Sequence, residues 1–340
     1  MTSLWDDLEG LVDSPSSFSA EGGNRGTIKP SENFNAEEDA AAIKKAVEGF
    51  GTNEKVLIDV LTQRSNAQRQ LIGEAYQKAY GRTLEKDLKG DTDGDMEDLL
   101  VALITPPAIY DCHEVERAMK GIGTKDSILI EIFVSRSNQQ IKALQEAFRR
   151  ETEKDLVSEL DSELSGDFAK ALILLAEGNR DESTTVDGEK AKQDAETLYS
   201  AGEKTRWGTD ESKFIDILCR RSISQLRQTL VEYKNISGKT LQQSIEGEMT
   251  GDLEELLVAV VKCVKSVPVY FAERLHESMK GGGTDESTLD RIMVSRSEID
   301  LLDIRAEFKK LYNRSLLSAL DSDLSGDHGE CLKAICGGDD

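Results

Sequence analysis

The sequence predicts an all-α protein made of four copies of one unit, and three observations support this prediction. A glycine-rich loop recurs four times, and other residues follow it at fixed distances. Apolar residues within a copy recur at helical spacing, as Ile141, Leu144 and Phe148 do. Convincing runs of alternating polar and apolar residues, which would indicate strands, are absent. Each copy is therefore expected to consist of several short helices joined by glycine loops.

The recurring loop has the pattern Gly-x-Gly-Thr. It occupies residues 49–52, 121–124 and 281–284, and a variant at residues 206–209 keeps only the last two positions. Thirteen residues after the second glycine position stands an arginine followed by a serine: Arg64, Arg136, Arg221 and Arg296. Forty residues after the same glycine position stands an acid: Asp91, Glu163, Glu248 and Asp323. Such fixed offsets in four copies indicate an internal repeat.

The residues beside each loop predict how the next helix begins. The threonine that closes the loop is placed to be its N-cap: Thr52, Thr124, Thr209 and Thr284. Acidic residues follow within two positions of each threonine, where their charge interacts favourably with the positive end of the helix dipole. For the repeated arginines we expect a structural role, as a cap or in a buried ion pair.

The distances between the loops predict the domain organisation. Successive second-glycine positions are 72, 85 and 75 residues apart, so the extra residues lie between the second and third copies. We expect a tail at 1–33, repeats at 34–105 and 106–177, a polar linker at 178–189, and repeats at 190–266 and 267–340. The linker is expected to divide the molecule into two pairs of repeats.

Composition narrows the function. With 42 Lys+Arg and 65 Asp+Glu the net charge is −23 at pH 7, so we expect no nucleic acid partner. Contact with an anionic membrane would need a bridging cation for the same reason. No apolar run reaches the ~18 residues of a transmembrane helix, and the first residues lack the features of a signal peptide. Five cysteines, an odd number, indicate reduced thiols in the cytosol.

The loop and the acid together suit a hard cation. Glycine permits tight turns that expose backbone carbonyls, and the distant acid adds carboxylate oxygens once the fold brings the two together. Calcium takes about six to eight oxygens in flexible geometry, which this donor set matches better than it matches the tighter octahedron of magnesium. A single such loop is usually only a turn, but four copies in register favour a repeated ligand site. No nucleophile and base stand at catalytic spacing, so we expect no enzymatic activity.

These motifs closely resemble those of the annexins, and the resemblance covers about residues 34–340. The stretches at residues 291–300 and 335–340 are most similar to the annexin III type. The resemblance implies four repeats of five short helices each, in a slightly curved disc with calcium sites on its convex face. It also implies reversible, calcium-dependent binding to acidic phospholipids such as phosphatidylserine.

The family pattern assigns calcium ligands by position in each repeat. The first site takes the carbonyls of Val47, Gly49 and Gly51 with the carboxylate of Asp91, and the second takes those of Met119, Gly121 and Gly123 with Glu163. The fourth takes Met279, Gly281 and Gly283 with Asp323. The third matches at Gly208 and Glu248, but its loop is one residue longer than the family loop; its other carbonyls are those of Gly202 and Arg206, with Thr205 as an alternative.

Other contacts follow from the loops and the tail. The residue between the two glycine positions is apolar in three copies, and we expect Phe50, Ile122 and Trp207 to touch the membrane. An amphipathic segment at residues 4–12 either docks on the core or binds a protein partner. Lateral self-association on membranes and a cytoplasmic, reversibly peripheral location are further expectations. The alternative function is a helical-repeat scaffold for proteins that uses calcium only structurally.

Overall fold

The computed structural model describes residues 24–204 and 208–339, which contain twenty helices and no strand. The first repeat holds α1 (Ala36–Val47), α2 (Glu54–Leu61), α3 (Asn66–Tyr80), α4 (Leu84–Asp91) and α5 (Gly94–Ile104). The second holds α6 (Pro107–Met119), α7 (Asp126–Ser135), α8 (Asn138–Thr152), α9 (Leu156–Glu163) and α10 (Gly166–Ala176). The third holds α11 (Gly188–Ala201), α12 (Glu211–Arg220), α13 (Ile223–Ser237), α14 (Leu241–Glu248) and α15 (Gly251–Lys265). The fourth holds α16 (Val267–Ser278), α17 (Glu286–Arg296), α18 (Leu301–Tyr312), α19 (Leu316–Asp323) and α20 (Gly326–Cys336). The all-α prediction with five helices in each repeat is confirmed.

The apolar spacing and the repeated serines explain why the third helix of a repeat forms. Ile141, Leu144 and Phe148 lie buried along one face of α8, as their spacing predicts. Ser137 caps that helix by accepting a hydrogen bond from the Gln140 backbone, while the Gln140 side chain accepts from the Ser137 N–H. The serine after the repeated arginine thus starts the third helix. Ser65 makes the same reciprocal cap in the first repeat, and in the third the side chain of Ser222 accepts from the Gln225 N–H.

The predicted threonine N-caps are wrong by one position. The second helix of each repeat is capped by the residue after the threonine: Asn53, Lys125, Asp210 and Asp285. Asn53 and Asp285 accept the capping hydrogen bond with their side chains. The threonine lies one residue outside the helix, and in three repeats its hydroxyl donates to the last residue of the fourth helix.

The repeats group into two compact units. Residues 111–270, which we call the central unit, contain the second and third repeats; residues 24–110 with 271–339, the terminal unit, contain the first and fourth. The linker therefore lies inside the central unit and does not separate the pairs as its position in the sequence indicates. The reason is packing: in the central unit α7, α10, α12 and α15 share one core, and in the terminal unit α2, α5, α17 and α20 do so.

All five cysteines lie buried among the described residues, and none of them forms a disulfide. Burial raises the pKa of Cys112 to about 11 and that of Cys219 to about 12, which keeps both in the unreactive thiol form. Within the described ranges 24–204 and 208–339, no helix combines the length and apolarity that crossing a bilayer requires.

Candidate metal centre

Each glycine loop connects the first and second helices of its repeat, and the first, second and fourth loops lie at the surface. In the first loop Gly49 has φ +104° and Gly51 φ +89°, and in the second Gly121 has +109° and Gly123 +85°. A side chain would have room at each of these positions, so backbone conformation rather than space requires glycine. In the fourth loop φ is positive at Gly281 (+105°) and not at the next two glycines.

Each repeated acid is the last residue of an eight-residue helix. Asp91 ends α4, Glu163 ends α9, Glu248 ends α14 and Asp323 ends α19, and all four are exposed. A short helix that stops at the acid presents its carboxylate at a helix end rather than along a side. This placement is the same in all four repeats.

The threonine hydroxyls join the loops to these acids in three repeats. Thr52 Oγ1 donates to the backbone oxygen of Asp91 at 2.6 Å, and Thr209 Oγ1 to Glu248 Oε2 at 3.3 Å. Thr284 donates to the carboxylate of Asp323. Residues about forty positions apart in the chain are thereby brought within one hydrogen bond, as a shared site requires. The fixed threonine is the sequence feature that marks this contact, although its position by itself predicts a helix cap.

The second repeat is arranged differently. Thr124 Oγ1 donates to Asp126 Oδ1 at 2.5 Å, two residues further along the chain. Asp126 also faces Asp252 at the start of α15; burial and this second carboxylate raise the pKa of Asp126. The second loop is thus tied to the carboxylate of the helix that follows it.

The donor chemistry fits calcium. Among the described residues, no three His, Cys, Asp or Glu side chains stand together as a metal cluster. In the first, third and fourth repeats the loop threonine contacts one repeated acid residue, so a cation there would be held by one carboxylate and otherwise by neutral oxygens. Calcium accepts such oxygen-only sets, whereas zinc prefers nitrogen and sulfur ligands.

Comparison with known proteins decides the family. The sequence model of the family described as Annexin matches residues 38–103, 110–175, 193–260 and 270–335. The chain belongs to the annexin family. It is 56% identical to annexin A3 of Homo sapiens over 318 residues, which are 94% of this chain and 98% of that protein.

Solved annexin structures share the fold. A structure of annexin III has a TM-score of 0.91 at 56% identity and covers 94% of this chain and 98% of its own. A structure of calcium-bound annexin (Sm)1 has a TM-score of 0.83 at 35% identity and covers 95% and 96%. The predicted resemblance, including that to the annexin III type, is confirmed. Annexins are calcium-binding repeat proteins that attach to phospholipids in a calcium-dependent way.

The positions assigned as annexin ligands lie where the first helix of each repeat gives way to its loop. Val47 is the last residue of α1 and Met119 the last of α6, while Met279 directly follows α16. Gly202 is the C-cap of α11 and is buried. The remaining third-loop positions, Thr205, Arg206 and Trp207, lie outside the described residues, as does the amphipathic tail segment at residues 4–12.

The apolar loop tips are fully exposed. Phe50 has a relative exposure of 113% and Ile122 of 110%, the highest among the large apolar side chains of the described residues. Both tips extend from the loops that carry the proposed ligand carbonyls.

The repeated arginines form the ion pairs expected of them. Each of the first three pairs with an aspartate on the first helix of its own repeat: Arg64 with Asp39 (2.7 and 3.0 Å), Arg136 with Asp111 (2.9 and 2.9 Å) and Arg221 with Asp194 (2.8 and 3.3 Å). In the fourth repeat Phe271 stands at that position, and the guanidinium of Arg296 lies 4.8 Å from its ring centre. Arg296 pairs instead with Asp300, at 2.8 Å.

Proposed function

We propose that this annexin binds acidic phospholipid membranes reversibly, through calcium ions held between its loop carbonyls, one acid per repeat and lipid headgroup oxygens. The observation that carries the proposal is the hydrogen bond between the loop threonine and the repeated acid residue in three repeats, because it brings the loop within one hydrogen bond of that residue and so supports a shared ligand site. We keep the ligand sets given above, with Gly202 and Arg206 as third-loop carbonyls. Phosphatidylserine is the lipid we propose to test first.

Charge makes the calcium requirement steep. At −23 the chain is repelled by an anionic surface. One calcium ion at each loop would add about eight positive charges in total, all of them at the four glycine loops. Binding should therefore appear with calcium and reverse with chelator. Because lipid oxygens complete the coordination, lipid should raise the affinity for calcium by the same factor by which calcium raises the affinity for lipid.

The exposed tips supply an apolar contribution. Phe50 and Ile122 are fully exposed in the protein alone. Burying such a side chain contributes on the order of 1.5–3 kcal/mol, and we propose that the headgroup region of the bilayer receives both tips and that of Trp207. We also propose a cytoplasmic, reversibly peripheral location, a protein partner for the tail, lateral association on membranes, and the repeat boundaries of the sequence analysis.

The test is sedimentation with phosphatidylserine vesicles across calcium concentration. The variant Asp91→Asn, Glu163→Gln, Glu248→Gln and Asp323→Asn should stay in the supernatant at calcium levels that pellet the unchanged protein. A matched control changes four exposed acids, each two residues from a site acid: Asp93→Asn, Asp161→Asn, Glu246→Gln and Asp321→Asn. The control loses the same charge but keeps the four proposed ligand carboxylates, so it should pellet normally.

The outcomes separate the proposal from its rival. A site variant that pellets like the control would refute the ligand assignment. An unchanged protein that binds calcium yet stays in solution with the vesicles would instead favour the protein scaffold with structural calcium. Strong binding in chelator at neutral pH would contradict the bridging mechanism.

A further inference from the structure

The third loop is longer than the other three. In the first repeat the backbone N–H of Asn53 closes the loop on the carbonyl of Ala46, seven residues earlier, at 2.8 Å. In the third repeat Asp210 closes on Ala201, nine residues earlier, at 2.9 Å. The loop that carries Gly202 and Gly208 therefore spans two more residues, and a longer loop has more conformations to lose when it binds a ligand.

One side chain at the start of this loop reaches the helix that carries the acid. Glu203 accepts from Lys239 Nζ at 3.0 and 3.2 Å and from Ser244 Oγ at 3.2 Å. Ser244 in turn accepts from the buried hydroxyl of Tyr233 at 2.7 Å. The Glu203 carboxylate is only 19% exposed, so its ion pair with Lys239 is partly shielded from water.

The other end of the same loop is tied to the same helix. Thr209 Oγ1 donates to Glu248, the last residue of α14 and the proposed calcium ligand. Ser244 and Glu248 are four residues apart, which is one helical turn, so they lie on one face of α14. Glu203 and Thr209 thus hold the two ends of the loop against successive turns of that face.

In the first repeat the corresponding carboxylate comes from the helix that carries the acid and not from the loop. Asp87, four residues before Asp91, accepts from Lys44 of α1 at 3.4 Å, from Tyr76 at 2.5 Å and from Arg82 at 2.5 Å. The carboxylate there belongs to α4, and the loop contributes none of these contacts. In the third repeat Ser244 occupies the position of Asp87, and the carboxylate comes from Glu203 instead.

We infer that Glu203 is a positioning residue for the third calcium site: its carboxylate fixes the start of the long loop, next to Gly202, relative to Glu248. The inference rests on the proposed function, because it concerns one of the proposed sites. Residues that orient ligands without touching the metal typically change metal affinity by about 10-fold or more when removed. Loss of Glu203 should therefore raise the calcium concentration needed at the third loop and leave the other loops unchanged.

The experiment uses Trp207, which stands between two proposed ligand positions, as a local reporter. In a Trp5→Phe background it is the only tryptophan, and its emission is followed as calcium is added with phosphatidylserine vesicles present. Glu203→Gln should raise the half-maximal calcium concentration roughly 10-fold with unchanged helix content. The matched control is Glu48→Gln in the first loop, where the side chain pairs only with Lys44 at 3.6 Å among the described salt bridges; it should leave the Trp207 midpoint unchanged.

A rescue variant distinguishes positioning from general damage. Adding Ser244→Asp to Glu203→Gln rebuilds the arrangement of the first repeat, with a carboxylate on α14 beside Tyr233 and Lys239, and should recover most of the lost affinity. If Glu203→Gln lowers the helix content, Lys239→Gln removes the same ion pair from the other side and should shift the midpoint in the same direction.

The possible results distinguish a failure of the inference from a failure of the proposed function. A Trp207 midpoint that stays the same, or falls, in Glu203→Gln and Lys239→Gln would overturn the inference while the proposed function stands. No calcium response of Trp207 in the parent protein would overturn both at the third loop. If Ser244→Asp does not reverse the shift in the Trp207 midpoint, Glu203 does not act by holding the loop to α14, and the inference is overturned.

Discussion

In the terminal and central units, the segment that leads into the first helix of a repeat is held in place by different contacts. In the central unit the polar linker leads into α11 and is held by a reciprocal pair of hydrogen bonds between Asp187 and Gln225, at 2.9 and 2.8 Å. In the terminal unit residues 24–31, which we call the strap, lead into α1 and end in the same arrangement between Ser31 and Gln68, at 2.9 and 2.9 Å. The linker is continuous with the repeat before it, whereas the strap reaches the fourth repeat from the opposite end of the chain.

The strap replaces chain continuity with close backbone contacts. Ile28 N–H donates to the Ser297 carbonyl at 3.0 Å, and Leu302 N–H donates to the Arg25 carbonyl at 3.0 Å. Thr27 Oγ1 donates to the Ile335 carbonyl at 2.6 Å. The linker instead uses the side chain of Arg180, whose Nη1 donates to the carbonyls of Leu218 and Arg221 at 2.8 Å each. Because the strap is not covalently joined to the fourth repeat at this contact, we expect it to depend on close backbone fit. We expect the linker, which also bonds to Asn138 and Gln225, to depend most on the side chain of Arg180.

The largest expected effect is at Gly26 in the strap. A Cβ there would lie 2.5 Å from the Ser297 oxygen and the Glu298 carbonyl carbon, so Gly26→Val cannot be accommodated without moving the backbone. Loss of the strap's hydrogen bonds and exposure of the buried Ile28 should lower the free energy of unfolding by about 3 kcal/mol. Urea unfolding gives the magnitude, and hydrogen exchange should rise at residues 24–31 and 297–302.

A glycine at the end of the linker is the control for this substitution. Gly188, the first residue of α11, has open space around it, and Gly188→Ala should change stability by less than about 1 kcal/mol. Equal losses in the two variants would show that the strap is no more sensitive to fit than the linker, which would break the comparison.

The second effect is at Arg180, the anchor of the linker. Burial lowers the pKa of its guanidinium, which marks it as largely removed from water. Arg180→Met leaves two carbonyls without their donor, at a cost of about 2 kcal/mol or more. Lys142→Met removes an exposed donor to the nearby Glu177 carbonyl and should cost well under half as much. Hydrogen exchange should rise around the linker; if it rises equally in both variants, Arg180 is not the anchor.

The third effect is a pH dependence that arises from one buried pair in the terminal unit. His328 Nε2 lies 2.8 Å from Asp290 Oδ1, and the second repeat has Ile130 and Phe168 at the corresponding positions. Burial raises the pKa of Asp290 to about 6, although the bond to His328 opposes the rise. Burial opposes protonation of His328, but its bond to Asp290, the Asp290 charge and nearby Asp95 and Glu286 raise its pKa overall.

Both shifts have the same sign for stability. Between pH 4 and 6 the folded protein holds a proton on Asp290 that the unfolded chain has released, so this group's contribution to stability falls as pH rises. A raised pKa at His328 likewise gives a contribution that is complete below pH ~6.5 and is lost as pH rises through its folded value. The free energy of unfolding of Asp290→Asn, relative to that of the unchanged protein, should therefore rise by about 2 kcal/mol between pH 4 and pH 6. Urea unfolding at each pH measures it. A constant difference across that range would exclude the pair as the source.

Much of this fold was predictable because the chain repeats itself. Fixed offsets identified the loops and acids, and apolar spacing identified helices such as α8, since both depend on residues near in sequence. The pairing of repeats was not predictable, because it depends on which helix faces share a core, and the linker at 178–189 gives no sign of that. The N-cap assignment failed for a similar reason: Thr52 is an adequate cap by itself, but its hydroxyl donates to the backbone oxygen of Asp91 at the end of α4.

The site shows the same limit. Composition and spacing select Glu248 as a ligand, yet nothing near Glu203 in sequence indicates that it reaches Ser244 of α14. The substitution of Phe271 for the aspartate of the other repeats was visible, but the replacement partner Asp300 became apparent only from the geometry of Arg296. Contacts between distant segments therefore account for most of what the sequence could not show.

The smallest expected effect is at Arg25, the charged side chain of the strap. Its Nε donates to Asp303 Oδ1 at 3.0 Å, but the two side chains are 51% and 26% exposed. Exposed ion pairs contribute about 0–1 kcal/mol and are screened by salt, so Arg25→Met should lower the free energy of unfolding by well under 1 kcal/mol. Its carbonyl bond to Leu302 is backbone and should survive the substitution. In high salt the difference from the unchanged protein should vanish. A loss as large as that of Arg180→Met, persisting in salt, would mean that the strap relies on one anchoring side chain after all, just as the linker does.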